Sequence, residues 1–169
     1  MRERPRYSRL LSWHVTYGVH LHGESGTVDR DHNQPGGRFV DADSLRATKE
    51  RLQMDHAAYS FDRLEREVVL QAIQDVCLHR TWDLIAAHVR TNHVHAIVEA
   101  EAPPERIMNA FKSWASRRLN ERGVGETKPN RWTRHESTRW LWKDQDVLDA
   151  IRYVVDEQGE PMAVFVSDG

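Results

Sequence analysis

Arg90-Thr91-Asn92-His93-Val94-His95-Ala96-Ile97-Val98-Glu99 is the stretch on which the fold turns. Read as a strand, it alternates with period two. Val94, Ala96 and Val98 point to one face, which needs a core to cover it. His93 and His95 point to the other, followed by Ile97 and Glu99. Neutral imidazole is among the commonest protein ligands for metal ions, so two of them two residues apart can converge on one divalent cation. The same pair would also be at home as polar residues on the wet face of a half-buried strand. Spacing leaves both readings open.

Outward from this strand the pattern is mixed. Trp82 to His88 predicts a second strand, with Val89 to Asn92 as a tight connection, so the two pair most easily as antiparallel neighbours. Downstream, Pro103-Pro104 opens a helix from Glu105 to about Arg122, with proline in the first turn, where its missing N–H costs nothing. Ile107, Met108, Phe111, Ala115, Arg118 and Leu119 trace its inner stripe, Lys112 lies beside it, and Gly123 to Pro129 ends it. Upstream, Leu64, Val68, Ile73, Val76 and Cys77 recur near the helical period from Asp62 to about His79. Leu11, Trp13, Val15 and Tyr17 alternate within a strand from Leu10 to Val19. Residues 23–43 are too long for a simple connector and suit a substrate-facing flap. Asp43-Ser44 then caps a short polar helix reaching about Met54. His20-Leu21-His22 repeats the histidine spacing, but Gly23-Glu24-Ser25-Gly26 follows at once and no strand runs on to hold those rings.

The 169 residues are expected to form one domain, 1–169, with a basic arm over 1–9 and a short tail over 159–169. No apolar run approaches the ~20 residues of a membrane helix, so no membrane partner is expected. The basic N-terminus, Met1 to Arg6, is not followed by an apolar stretch, as a secretory signal would be. The lone Cys77 reads as a core filler, and the expected location is cytoplasmic. The formal net charge of −2 hides an asymmetry. Between Glu105 and Lys143 stand ten Lys/Arg against four acids. Such a segment suits a phosphate-backbone substrate, although a solvated helix face would also produce it.

From Arg131 to Trp142 the chain is aromatic and basic: Trp132, Arg134, His135, Arg139, Trp140 and Trp142. Unpaired bases stack on such rings at ~1–3 kcal/mol each while arginine holds the backbone; packing within the protein is the competing use of the tryptophans. A final helix is expected from Asp144 to about Gln158, with Asp144 and Asp146 at the positive end of its dipole and Gly159 and Pro161 as stops. At ~100° per residue, Val147, Leu148, Ile151, Val154 and Val155 fall in one arc. Tyr153 lies near the opposite side, unexpected for an aromatic ring whose job is packing. Glu157 shares its face one turn on, while Gln158 falls back on the apolar arc.

The Asn92-His93-Val94-His95 run, the helix bearing Lys112 and the late Ile151-Arg152-Tyr153-Val154-Val155 helix resemble the single-tyrosine transposases of the histidine–hydrophobe–histidine nuclease superfamily. That group includes transposases of the smallest insertion sequences and relatives associated with repetitive extragenic palindromes. The resemblance runs from about Trp13 to Met162. It implies an α+β, ferredoxin-like fold, an antiparallel sheet with helices packed on it. It also implies Mg²⁺ or Mn²⁺ held by His93 and His95, with Glu157 or Gln158 as third ligand; the helical wheel prefers Glu157. Tyr153 would attack a DNA phosphodiester, giving a 5′-phosphotyrosine and a free 3′-hydroxyl. A phenol with its pKa near ~10 needs such help to act as a nucleophile at neutral pH. The implied partners are single-stranded or hairpin DNA and a second copy in a homodimer, with Lys112, Arg117, Arg131, Arg134, Arg139 and Trp140 as candidate DNA contacts. Two alternatives to a strand transferase are a domesticated relative that binds or nicks hairpins, and a non-catalytic nucleic-acid-binding module.

Overall fold

The structure, a computed structural model, describes residues 8–15, 59–125, 131–133 and 137–168. The flap over 23–43, the helix from Asp43, the His20–His22 pair, the strand beyond Val15, Arg134, His135 and residues 1–7 of the arm lie outside the described residues.

The histidine stretch is β3 (His93–Ala100), the central strand of a five-stranded sheet. Its neighbours are β1 (Ser8–Val15) and β2 (Asp83–Val89), both antiparallel to it. β4 (Ser137–Leu141) pairs outside β1, and β5 (Ala163–Val166) outside β2, both antiparallel. The order is β4-β1-β3-β2-β5. Helix α1 (Arg63–Arg80) lies between β1 and β2 in the chain, and α2 (Pro104–Glu121) between β3 and β4. Each crossover therefore skips one strand, which is the ferredoxin-like arrangement. Helix α3 (Asp144–Val155) and β5 extend it.

The alternation of β3 divides the sheet. Val94, Ala96, Val98 and Ala100 join the main core beneath α1 and α2, with Ala87 and Val89 of β2, Val68, Ala72, Ile73 and Val76 of α1, and Ile107, Phe111, Ala115 and Leu119 of α2. Ile97, on the other face, packs with Ala86, Leu141, Val147, Ala150 and Val154 beneath α3. The histidines therefore share a face covered at one end by a helix.

Local signals set the helix ends. Asp62 accepts the Glu65 N–H at 2.8 Å while Glu65 accepts the Asp62 N–H at 2.7 Å, a reciprocal cap whose loss typically costs ~1 kcal/mol. Leu64 departs from the expected stripe and is exposed. In α2, Pro104 takes the first helical position, and Arg118 turns from the stripe to pair with Asp75 at 3.2 Å. Helix α3 ends at Val155, three residues before the expected Gln158, and Leu148 is 58% exposed rather than core. β4 lies within the stretch read as an aromatic and basic segment, and β5 within the expected tail. Both are edge strands of five residues or fewer, too short and too polar or too brief for a period-two signal. Cys77 is buried, and burial pushes its thiol up to about 12. Among the described residues no helix is long and apolar enough to cross a membrane.

Candidate active site

The site begins with register. Antiparallel pairing sets His95 opposite Trp13 on one side and His88 on the other, and Val15 opposite His93. The rings of His93 and His95 stand edge to face, centroids 4.9 Å apart. His95 is only 2% exposed. The Tyr153 ring meets His95 at 5.5 Å, again edge to face, and is itself 37% exposed. The off-stripe tyrosine of α3 therefore lies over the histidine face.

Past Val155 the chain leaves the helix, so the wheel no longer governs residues 157 and 158. Gln158 folds back. Its Nε2 donates to the Tyr153 carbonyl at 3.2 Å, and its Oε1 lies 3.2 Å from His93 Nε2. Glu157 is exposed. Of the two candidates for a third ligand, the amide is the one brought to the histidines. Asn92 completes the arrangement: its Oδ1 lies 2.6 Å from His93 Nδ1, so the two ring nitrogens of His93 face the side-chain oxygens of Asn92 and Gln158. An outer-shell oxygen of this kind commonly fixes a metal-binding imidazole. Two imidazole nitrogens and an amide oxygen are donors a divalent cation accepts. The residues fit a cation. Among the described residues, no cluster of three His, Cys, Asp or Glu forms an alternative site.

The basic residues divide differently. Arg131 is 5% exposed, donates to Asn120 Oδ1 at 2.8 Å and stands over the Tyr59 ring at 5.9 Å. These bonds tie it within the protein. Lys112 is half-buried and donates to the Thr133 carbonyl at 2.8 Å; burial pulls its pKa down to about 8. Lys112 and the exposed Arg117 belong to α2, on the opposite face of the sheet from the histidines. Trp140 packs toward that same opposite core. Arg139, one residue away on β4, shares the face of Leu141 and Ile97 and is exposed. Trp142, 65% exposed, lies 5.9 Å from Trp140.

Residues 55–149 match the family of IS200-like transposases, more than half of the chain. The chain belongs to that family. The matched span holds the histidine strand and stops before Tyr153 and Gln158, which meet the histidines by the contacts described above. A solved structure of a REP-associated tyrosine transposase bound to a REP hairpin covers 93% of this chain and 72% of its own, at 14% identity and a TM-score of 0.49. Among curated proteins none matches significantly.

Two residues around the histidines carry no signal in the sequence. Asn92 stood in the quoted motif without a function. His88 was read as the end of a strand, yet it is fully buried and bonded at both ring nitrogens. Its position opposite His95 follows from pairing between strands, which single-strand periodicity does not encode.

Proposed function

We propose that this transposase nicks and rejoins single-stranded or hairpin DNA through a covalent 5′-phosphotyrosine at Tyr153. The observation that carries the reading is the meeting of His93 and His95, on one strand, with Tyr153, on a helix, and Gln158, just past that helix, more than fifty positions along the chain. His93, His95 and Gln158 would hold Mg²⁺ or Mn²⁺. Such an ion polarises a phosphodiester and offsets the charge that develops as it is attacked.

The chain's own residues do the rest. The Tyr153 oxygen forms a bond to phosphorus as the bond to the 3′-oxygen breaks; the phenol gives up its proton and the departing oxygen takes one. Because the phosphodiester is exchanged rather than hydrolysed, a second 3′-hydroxyl can displace the tyrosine and join strands without ATP. Asn92 orients His93, and Gln158 couples the ligand pair to the backbone of the nucleophile itself. The exposed Arg139 and Trp142 suit a substrate with an accessible phosphate backbone and unpaired bases. A homodimer, which the resemblance implies, is not needed to bring these groups together, because Tyr153 stands on a histidine of its own chain.

The test is a 3′-labelled single strand incubated with the protein plus Mn²⁺ or plus EDTA. A protein–DNA adduct that needs the metal and vanishes in Tyr153→Phe is expected. Cleavage that persists in that variant would mean hydrolysis without a covalent step.

A further inference from the structure

We infer that His88 is a positioning residue for this chemistry, holding both ends of the segment that presents Tyr153 and Gln158 to the histidine pair. The inference rests on the reading of those residues given above.

The bond pattern admits one ring form. His88 Nδ1 lies 2.8 Å from the Val154 carbonyl, which can only accept, so Nδ1 carries the hydrogen. The Met162 N–H, which can only donate, approaches His88 Nε2 at 3.2 Å, so Nε2 carries the lone pair. A neutral imidazole satisfies both, and the ring is fully buried with no room for solvent to replace either partner. Val154 follows Tyr153 in α3, and Met162 stands just before β5. Between them the chain must leave the helix, reverse and rejoin the sheet. Gly159 makes that reversal at φ +81°, and Arg90 donates to the Glu160 carbonyl at 3.0 Å. Gln158 rides on this turn. His88 thus ties down the two ends of a short bridge whose middle carries one candidate ligand and whose start carries the nucleophile.

Packing alone would not do this. The residues of α3 fully or nearly buried against the sheet are Val147, Ala150 and Val154, and apolar contacts are non-directional. A hydrogen bond from the sheet to the last turn fixes where that turn stops. In Gln158 a small shift would separate Oε1 from His93, and changes to residues that orient ligands typically cost ~10–100-fold in metal affinity or activity.

Three measurements test the inference. In wild-type protein without DNA or metal, the ¹⁵N shifts of the His88 ring should report the Nδ1–H tautomer; the Nε2–H tautomer would overturn it. His88→Leu removes both bonds and should weaken Mn²⁺ binding and slow single-turnover cleavage by about tenfold or more, with DNA affinity unchanged. His88→Asn keeps a donor near the Nδ1 position and should recover part of both losses. A Leu variant equal to wild type in Mn²⁺ affinity and cleavage, or an Asn variant no better than Leu, would also overturn it. Should His88→Leu not fold, the tautomer and the His88→Asn comparison with wild type decide. Were the wild-type protein to show no cleavage, the proposed chemistry would fail, while the tautomer and Mn²⁺ arms would still judge His88.

Discussion

The two faces of β3 carry the same backbone and alternate along the same eight residues, yet they are built for different ends. One face is Val94, Ala96, Val98 and Ala100 under two helices of eighteen residues each, without a polar side chain from that strand. The other carries His93, His95, Ile97 and Glu99, with the twelve-residue α3 over part of it. The first face is held by area removed from water, which tolerates small adjustments of position. The second adds to a smaller apolar cluster around Ile97 a few directional bonds, at His88, His93 and Gln158, that do not. On the proposed function, stability and chemistry are therefore separable, one on each side of a single strand.

The separation can be broken most sharply at its two extremes. Tyr153→Phe should abolish the DNA adduct, while urea unfolding shifts by no more than about 1 kcal/mol, as expected for a partly exposed ring; a large loss of stability would mean the tyrosine is core. On the other side, Phe111→Ala removes a buried ring that stands edge to face with Trp82 at 6.3 Å. It should cost about 3–5 kcal/mol in urea unfolding, with cleavage per folded molecule unchanged. A fall in that specific rate would show that the faces are coupled.

A smaller effect should appear with acid. Burial, more than the nearby Arg90 charge, holds His88 below its usual 6.5 despite its bond to the Val154 carbonyl. The unfolded chain therefore takes up a proton at this residue before the folded chain does. Its contribution to stability is complete above about pH 6.5 and is lost as pH falls from there toward the folded value. Urea midpoints of wild type and His88→Asn, compared at neutral and mildly acidic pH, should converge as the pH drops. A constant difference between them would show that the ring does not titrate on unfolding. The least effect is expected at Leu148, 58% exposed on α3: Leu148→Ser should alter stability by less than about 0.5 kcal/mol and leave cleavage intact.

Much of this was legible before the structure. The alternation of residues 93–99 placed the two histidines on one face, and the helix signals at Asp62, Pro103-Pro104 and Asp144 held to within a few residues at each start. The charge pattern did not show that Arg131 and Lys112 bond within the protein, because a basic run does not reveal which side chains end inside it. The wheel placed Glu157 on the Tyr153 face, but a helical projection holds only while the helix lasts, and this one stops at Val155.

Sequence by itself determined the faces of β3, the departure of Tyr153 from the apolar arc and the family resemblance, since each resides in neighbouring residues whose spacing is fixed by the backbone. Tertiary structure decided that Gln158 rather than Glu157 meets His93, that His88 holds Val154 and Met162, and that β4 and β5 close the sheet edges. The physical reason is range. Periodicity is set by torsions within one element, whereas these contacts join residues sixty or more positions apart and exist only once the elements have packed.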